Sequence, residues 1–395
     1  MTSAPITIVN ARISRISRIL EAIHEYGHHL GSPLAHRRFK GKNFGQPNQE
    51  TTAMTVSKQN STQVIYRLPD LHEKWPFPRT MSFWHQEVSP VSADWVESFG
   101  LFSEAHKRRF RKINCGLLAS LAYPYHTREE LRPAADLMNV LFAVDDISDE
   151  LTADEVKNLS DICLDALRNP DKSRPQGEHP VGQLHKDFML QLKESSSQTT
   201  LRRFIPSYER YLEAVLYEAA DRESHIIRGS IDDYLALRRY TGAIKPSFDL
   251  ILLPVEIPDE VLLDPRIVNL EMIAIDMVAV ANDVVSFNVE QARGDIHNAV
   301  IVVMHQKGLS VQEAMDDVNE WYNQRGKDFL DAMLDLPECS SNAVREKLKW
   351  YVHGLGNWVT ANYEWSFGSK RFFGSLNDSI KETGMMTLLP KEPTA

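Results

Sequence analysis

Met272-Ile273-Ala274-Ile275-Asp276-Met277-Val278-Ala279-Val280-Ala281 runs directly into Asn282-Asp283-Val284-Val285-Ser286-Phe287-Asn288-Val289-Glu290. The first ten residues are apolar on almost every face, so a helix built from them is a buried one. Asn282, Ser286 and Glu290 follow at i, i+4 and i+8, which stacks an amide oxygen, a hydroxyl and a carboxylate on one helix face. An ordinary polar stripe does not explain why these groups come where the helix is otherwise apolar. Together they can chelate one hard cation.

A second apolar run ends in the same way. Leu137-Met138-Asn139-Val140-Leu141-Phe142-Ala143-Val144 leads into Asp145-Asp146-Ile147-Ser148-Asp149-Glu150. On a helix Asp145 and Asp149 share a face, and their charges repel unless a cation lies between them. Mg2+ prefers such carboxylates, with water and phosphate oxygens completing its octahedron. Acidic strings of this kind are common and often mark a wet helix end. The apolar run before this one argues that its carboxylates open into a cavity.

From about Tyr66 onward the chain shows helical periodicity broken by Pro and Gly. Helices are expected over 87–100, 104–121, 128–146, 153–168, 181–195, 198–222, 230–242, 246–253, 267–291, 295–306, 310–334, 341–366 and 369–380. The pattern is all-α and leaves no room for a parallel sheet. Residues 1–60 read as an N-terminal extension, 61–385 as one helical domain with its cavity between the helices, and 386–395 as a tail. The basic run His106 to Lys112 reads as a solvated helix face.

The 395 residues carry 54 acidic and 44 basic side chains, a formal charge of −10. That balance argues against a nucleic-acid partner, which needs a basic footprint. Cys115, Cys163 and Cys339 build no disulfide framework, and a reducing, cytoplasmic setting is the simplest expectation. No uninterrupted apolar run reaches the roughly 18 residues of a membrane span. The N-terminal segment carries Arg12, Arg15 and Arg18, somewhat like a mitochondrial transit peptide. Met54 is the favoured natural start.

His24-Glu25-Tyr26-Gly27-His28 matches the HExxH string of zinc peptidases, two histidines for the metal and a glutamate as base. A zinc peptidase is therefore an alternative reading. Against it, about 60 residues of low complexity cannot build the cleft a peptidase needs.

Asp145-Asp146-x-x-Asp149 resembles the aspartate-rich motif of class I terpene synthases, and Asn282-Asp283-x-x-Ser286-x-x-x-Glu290 resembles their second metal motif. Tyr66-Arg67-Leu68-Pro69, Leu117 to Pro124 and Arg293-Gly294-Asp295-Ile296-His297-Asn298 resemble the fungal sesquiterpene branch. The resemblance spans roughly residues 64 to 382. It implies a helical bundle that binds an isoprenoid diphosphate and a trinuclear Mg2+ cluster, for which Mn2+ can substitute. Asp145, Asp149, Asn282, Ser286 and Glu290 would be the metal ligands.

The same resemblance implies a diphosphate-sensing arginine at Arg238, with Arg239 as its rival, and a helix break at Gly242. Arginine suits that task because its rigid fork grips phosphate oxygens. The family's C-terminal Arg-Tyr pair falls on Arg371-Phe372. The missing hydroxyl puts one diphosphate hydrogen bond in doubt or leaves it to Lys370 or a water. Phe142 and Trp365 match cavity-wall aromatics, whose ring faces stabilise a desolvated cation by roughly 2 kcal/mol each.

Cyclisation is favoured over chain elongation, which uses two aspartate-rich motifs. The DxDD string of protonation-initiated cyclases is absent, because Ser230 and Ala314 stand two positions before Asp232-Asp233 and Asp316-Asp317. The expected substrate is (2E,6E)-farnesyl diphosphate. Around Leu117 to Asp149 the chain is most similar to the branch that closes between carbons 1 and 11, with 1,10-closure as the other course. A non-catalytic relative of such cyclases is a further alternative, and a monomer or a homodimer is expected.

Overall fold

The computed structural model describes residues 63–392. The expected N-terminal extension, including His24, Glu25 and His28, lies outside them. Among the described residues the chain begins with strand β1 (Ile65–Arg67), followed by α1 (His85–Glu97), α2 (Glu104–Phe110), α3 (Cys115–Ala122) and α4 (Arg128–Ser148). Next come α5 (Ala153–Arg168), α6 (Val181–Ser195), α7 (Gln198–Glu223), α8 (Ile231–Thr241) and α9 (Ile244–Asp249). The rest comprises α10 (Asp259–Leu262), α11 (Pro265–Arg293), α12 (Ala299–Lys307), α13 (Val311–Ala332), α14 (Asn342–Gly368), α15 (Asn377–Thr383) and strand β2 (Met385–Thr387). The all-α expectation holds.

Local chemistry sets the ends of the two key helices. Thr127 opens α4 with a capping box: its hydroxyl accepts from Glu130 N while the Glu130 carboxylate accepts from Thr127 N. In α11, Pro265 occupies the first turn, where its missing N–H costs nothing, and the Asp264 carboxylate accepts from Arg266 N. Gly294 ends α11 at φ 90°, a left-handed conformation that favours glycine.

Helix α11 is the central post, packed against α13 and α14, while α14 packs on α3 and α4 packs on α1, α3 and α6. By length and composition α11 could cross a membrane, yet 83% of its most apolar window is buried inside the protein. It is a core helix. The segment before α1 runs over α14, where Trp75 donates to Gly356 O at 3.1 Å and the Phe77 ring lies against Gly356. A Cβ at Gly356 would sit 2.1 Å from Phe77 Cζ, so that crossing needs glycine.

Three local expectations are corrected. The helix expected over 104–121 is two helices, because Asn114 turns left-handed at φ 57° between α2 and α3; asparagine tolerates that region better than most residues. The helix expected over 369–380 reduces to a 3-10 turn at Gly374–Leu376 and the short α15. The tail expected from 386 is part of the fold. Strand β2 pairs antiparallel with β1, Tyr66 opposite Met386, and Gln291 and Asn288 hold the backbone of Leu389.

Candidate active site

Helices α4, α7, α8, α11 and α14 surround a cavity of about 490 Å3, within the roughly 300–1,000 Å3 usual for small-molecule sites. Its apolar part is walled by Leu118, Met138, Leu141, Val278, Trp358 and Trp365, from α3, α4, α11 and α14. Its polar part comes from the C-terminal halves and ends of α4, α7, α8 and α11: Asp145, Asp149, Glu218, Arg222, Arg238, Asn282 and Glu290. The two motifs picked from the sequence thus meet in one space.

At the end of α4, Asp145 and Asp149 leave 48% and 63% of their side-chain surfaces open. Protein encloses both on their other sides. That burial raises both carboxyls; at Asp145 the Arg371 charge offsets part of the rise, whereas at Asp149 the charges of Asp145 and Glu218 add to it and bring it to about 8. Where water fills the cavity the burial cost is partly screened, and the mutual repulsion persists. Asp146 faces elsewhere. Its Oδ2 lies 3.0 Å from His106 Nε2, and the His106 ring stacks on Phe102. The basic run from His106 is therefore not simply a solvated face.

On α11, Asn282 and Glu290 line the cavity, while Ser286 is buried beside them with its hydroxyl 3.3 Å from Asp283 O. Burial, then the charge of Asp283, pushes Glu290 up to about 7, and Asn298 donates to its Oε2 at 2.9 Å. Asp283 turns the opposite way. Its fully buried carboxylate accepts from Tyr234 Oη at 2.6 Å, Arg238 Nε at 3.0 Å and Ala299 N at 3.0 Å.

Arg238 and Arg239 separate cleanly. Arg238 lines the cavity and donates to Asp283 and to Asn282 Oδ1, the latter at 3.0 Å. Arg239 instead forks onto Asp276 at 2.6 and 3.0 Å and is not among the cavity-lining residues. Gly242 and Ala243 break the chain between α8 and α9 at the cavity wall, with Ala243 at φ 51°.

Residues 136–328 match the family model described as terpene synthase family 2, C-terminal metal binding. A Delta(6)-protoilludene synthase of Stereum hirsutum is 38% identical over 345 residues, 87% of this chain and 93% of that one. The Delta(6)-protoilludene synthase of Armillaria gallica is 40% identical over 82% of this chain and 94% of its own. The chain belongs to the terpene synthase family. Its fold is shared with hedycaryol synthase solved in complex with nerolidol, at TM-score 0.63 and 23% identity over 76% of this chain and all of that one. This terpene synthase is a class I cyclase, and its substrate is an isoprenoid diphosphate.

The C-terminal residues fall into two groups. The Arg371 guanidinium lies 3.6 Å from Asp145 Oδ2, and its carbon sits 4.9 Å over the Phe142 ring and 5.7 Å from that of Phe372. Phe142 lines the cavity, but the guanidinium already occupies one ring face, and Trp365 packs 5.5 Å away. Trp365 also lines the cavity while its indole donates to Ile113 O at 2.6 Å. Lys370 and Phe372 are not among the lining residues. Lys370 is exposed, and Phe372 packs edge-on against Trp365. Lys370 is thus poorly placed to replace the missing tyrosine hydroxyl.

Several residues of the terpene synthase cavity escaped the sequence reading. Glu218 lines it from α7, and burial pushes its carboxyl up to about 7. Arg222 stands one turn later, and Arg293, Asp295 and His297 come from the end of α11 and the loop after it. Burial holds His297 down near 4, so its ring is neutral at pH 7. The Arg293–Asn298 string is visible in the sequence, whereas Glu218 and Arg222 carry no local signal.

Proposed function

We propose that this terpene synthase ionises (2E,6E)-farnesyl diphosphate with the aid of Mg2+ and folds the C15 cation into a cyclic sesquiterpene by 1,11-closure, of the protoilludene type. The observation that carries the reading is the meeting of Asp145 and Asp149 with Asn282 and Glu290, Ser286 buried beside the latter two, at one end of a cavity whose other end is apolar and aromatic. The printed names of the relatives favour protoilludene chemistry over 1,10-closure.

The donors present suit a hard divalent ion, since all five are oxygen ligands. Among the described residues no three His, Cys, Asp or Glu side chains converge on one point. Metal binding through the carboxylates alone is thus incomplete, which fits ions shared with a diphosphate. Asp145 and Asp149 would hold metal on one side, and Asn282, Ser286 and Glu290 on the other. Bound there, Mg2+ would neutralise charge on the leaving diphosphate.

The chain's own groups supply the rest. The Arg238 and Arg371 guanidiniums offer charge-assisted donors to the diphosphate as the bond from carbon 1 to oxygen breaks and its electron pair leaves with oxygen. The apolar wall excludes water that would quench the allylic cation. The distal double bond then supplies the electron pair for the new bond between carbons 1 and 11. Trp365 and Trp358 line the hydrocarbon part of the cavity, where ring faces attract the migrating charge.

Gas chromatography–mass spectrometry of the purified chain with farnesyl diphosphate and Mg2+, with and without chelator, tests this. Chelator-sensitive cyclic C15 hydrocarbons that include protoilludene are the expected result. Exclusively acyclic alcohols, or no turnover, would sink it.

A further inference from the structure

Arg222 is the penultimate residue of α7, yet its side chain serves α4. Its Nη2 donates to Ser148 O at 3.0 Å and to Leu151 O at 3.3 Å, and its Nη1 lies 3.5 Å from Asp149 Oδ1. Ser148 closes α4 and Leu151 belongs to the turn that leads into α5. These carbonyls stand where a helix runs out of intrahelical donors, and a cation there also meets the negative end of the helix dipole. The next residue, Glu223, completes the grip by accepting from Ala153 N at 2.8 Å, the first amide of α5. Two consecutive residues of α7 thus hold both polar sides of the α4–α5 connection.

That connection is where the acidic motif is weakest. Asp145 sits inside α4, but Asp149 is the residue just beyond it, held by bonds of Asp149 N to Asp145 O and Glu150 N to Ile147 O. A last turn of this kind frays unless something outside the helix caps it. Fraying would swing Asp149 off the face it shares with Asp145.

We infer that Arg222 is a positioning residue: reaching across from α7, it clamps the last turn of α4 and keeps Asp149 in register with Asp145 for ion binding. The inference rests on the reading of Asp145 and Asp149 as ion-binding carboxylates. Arg222 does more than balance charge, because a fork with two carbonyl acceptors and a carboxylate fixes a direction as well as a distance. Lysine at this position would keep the charge but would have one compact head for three acceptors.

The test uses the full chain and its Arg222→Ala and Arg222→Lys variants, each checked for native circular dichroism. Amide hydrogen exchange of peptides covering residues 145–153 is followed without metal, and the Mg2+ concentration for half-maximal turnover is measured separately. In Arg222→Ala, exchange in that segment is expected to rise about tenfold while the rest of the protein is unchanged, and half-saturating Mg2+ to rise about tenfold or more. Arg222→Lys is expected to fall between the two, and it serves alone if the alanine variant does not fold. Unchanged exchange at 145–153 would overturn the clamp. Faster exchange with an unchanged Mg2+ requirement would overturn its link to ion binding. A wild-type chain without Mg2+-dependent turnover would strike the reading of the site instead, and the exchange measurement would still judge the clamp.

Discussion

The Arg238 guanidinium donates to Asn282 Oδ1 at 3.0 Å, and that oxygen is the one a metal would need. Arg238 is at the same time held by the buried Asp283, so its position is fixed independently of Asn282. A metal at Asn282 would compete with that hydrogen bond or share the oxygen's second lone pair, and either way it would stand next to an arginine already aimed into the cavity. Arg238→Lys, which keeps the charge but loses the fork, is expected to lower kcat/KM by about 100-fold or more. Arg239→Ala leaves the buried Asp276 carboxylate with only the more distant Arg325. It should cost stability on the order of 3 kcal/mol and spare most of kcat/KM. Steady-state kinetics and urea melts on both variants decide this, and equal kinetic losses would put the sensor assignment in doubt.

Asp145 and Asp283 are acids of two kinds, although each belongs to one of the two motifs. Asp145 has one cation at 3.6 Å and its own burial working against its charge, whereas Asp283 is gripped by three donors. Asp145→Asn is expected to abolish at least about 99% of turnover while leaving the melting temperature unchanged or higher, as befits a site that trades stability for function. Asp283→Ala should lower stability by about 3 kcal/mol or more by stranding Arg238 and Ala299 N. A thermal melt beside a turnover assay separates the two. Loss of stability in Asp145→Asn would contradict this division.

These contrasts show which parts of the protein local sequence could report. Helices α4 and α11 and their motifs were legible because an apolar run and its polar end lie within about twenty residues. Arg238 and Arg239 were not separable, since adjacent residues differ only in which partner they meet, and those partners, Asp283 and Asp276, lie on α11. Glu218 and Arg222 face the cavity through the packing of α7 on α8, which no local period records. The Asn114 break passed unseen because its φ is chosen by how α2 and α3 dock. Pairing of β1 with β2 joins three-residue segments from opposite ends of the fold, too short to show alternation.

Phe142 has a guanidinium on its face before any carbocation forms. Arg371 lies 4.9 Å over the ring and 3.6 Å from Asp145, so the ring helps aim the arginine at the polar end of the cavity. Phe142→Leu removes the ring face but keeps an apolar side chain at the wall. It is expected to raise KM for farnesyl diphosphate about fivefold, in line with a cation–π contact of about 1 kcal/mol, and to shift products toward early-quenched ones. A changed product pattern with an unaltered KM would mean that the ring serves the hydrocarbon cation alone.

Acid should destabilise the protein through histidines remote from the cavity. His185 is fully buried: its Nδ1 donates to Val181 O at 2.8 Å, and in the neutral ring that burial favours its Nε2 accepts from Tyr208 Oη at 2.7 Å. Burial lowers His185 to about 4 from 6.5, and His353 likewise to about 4. Since the folded-state values lie below the unfolded ones, the unfolded chain binds more protons as pH falls. Their stability contribution is complete above pH 6.5, declines as pH falls through the window and is gone below about 4. Each pKa difference corresponds to a loss on the order of 3 kcal/mol across that window. Urea midpoints measured at pH 7.5 and pH 5 should therefore differ, and His185→Gln, whose amide oxygen can still accept from Tyr208, should narrow the difference. If the variant shows the full wild-type drop between the two pH values, His185 does not carry this acid sensitivity.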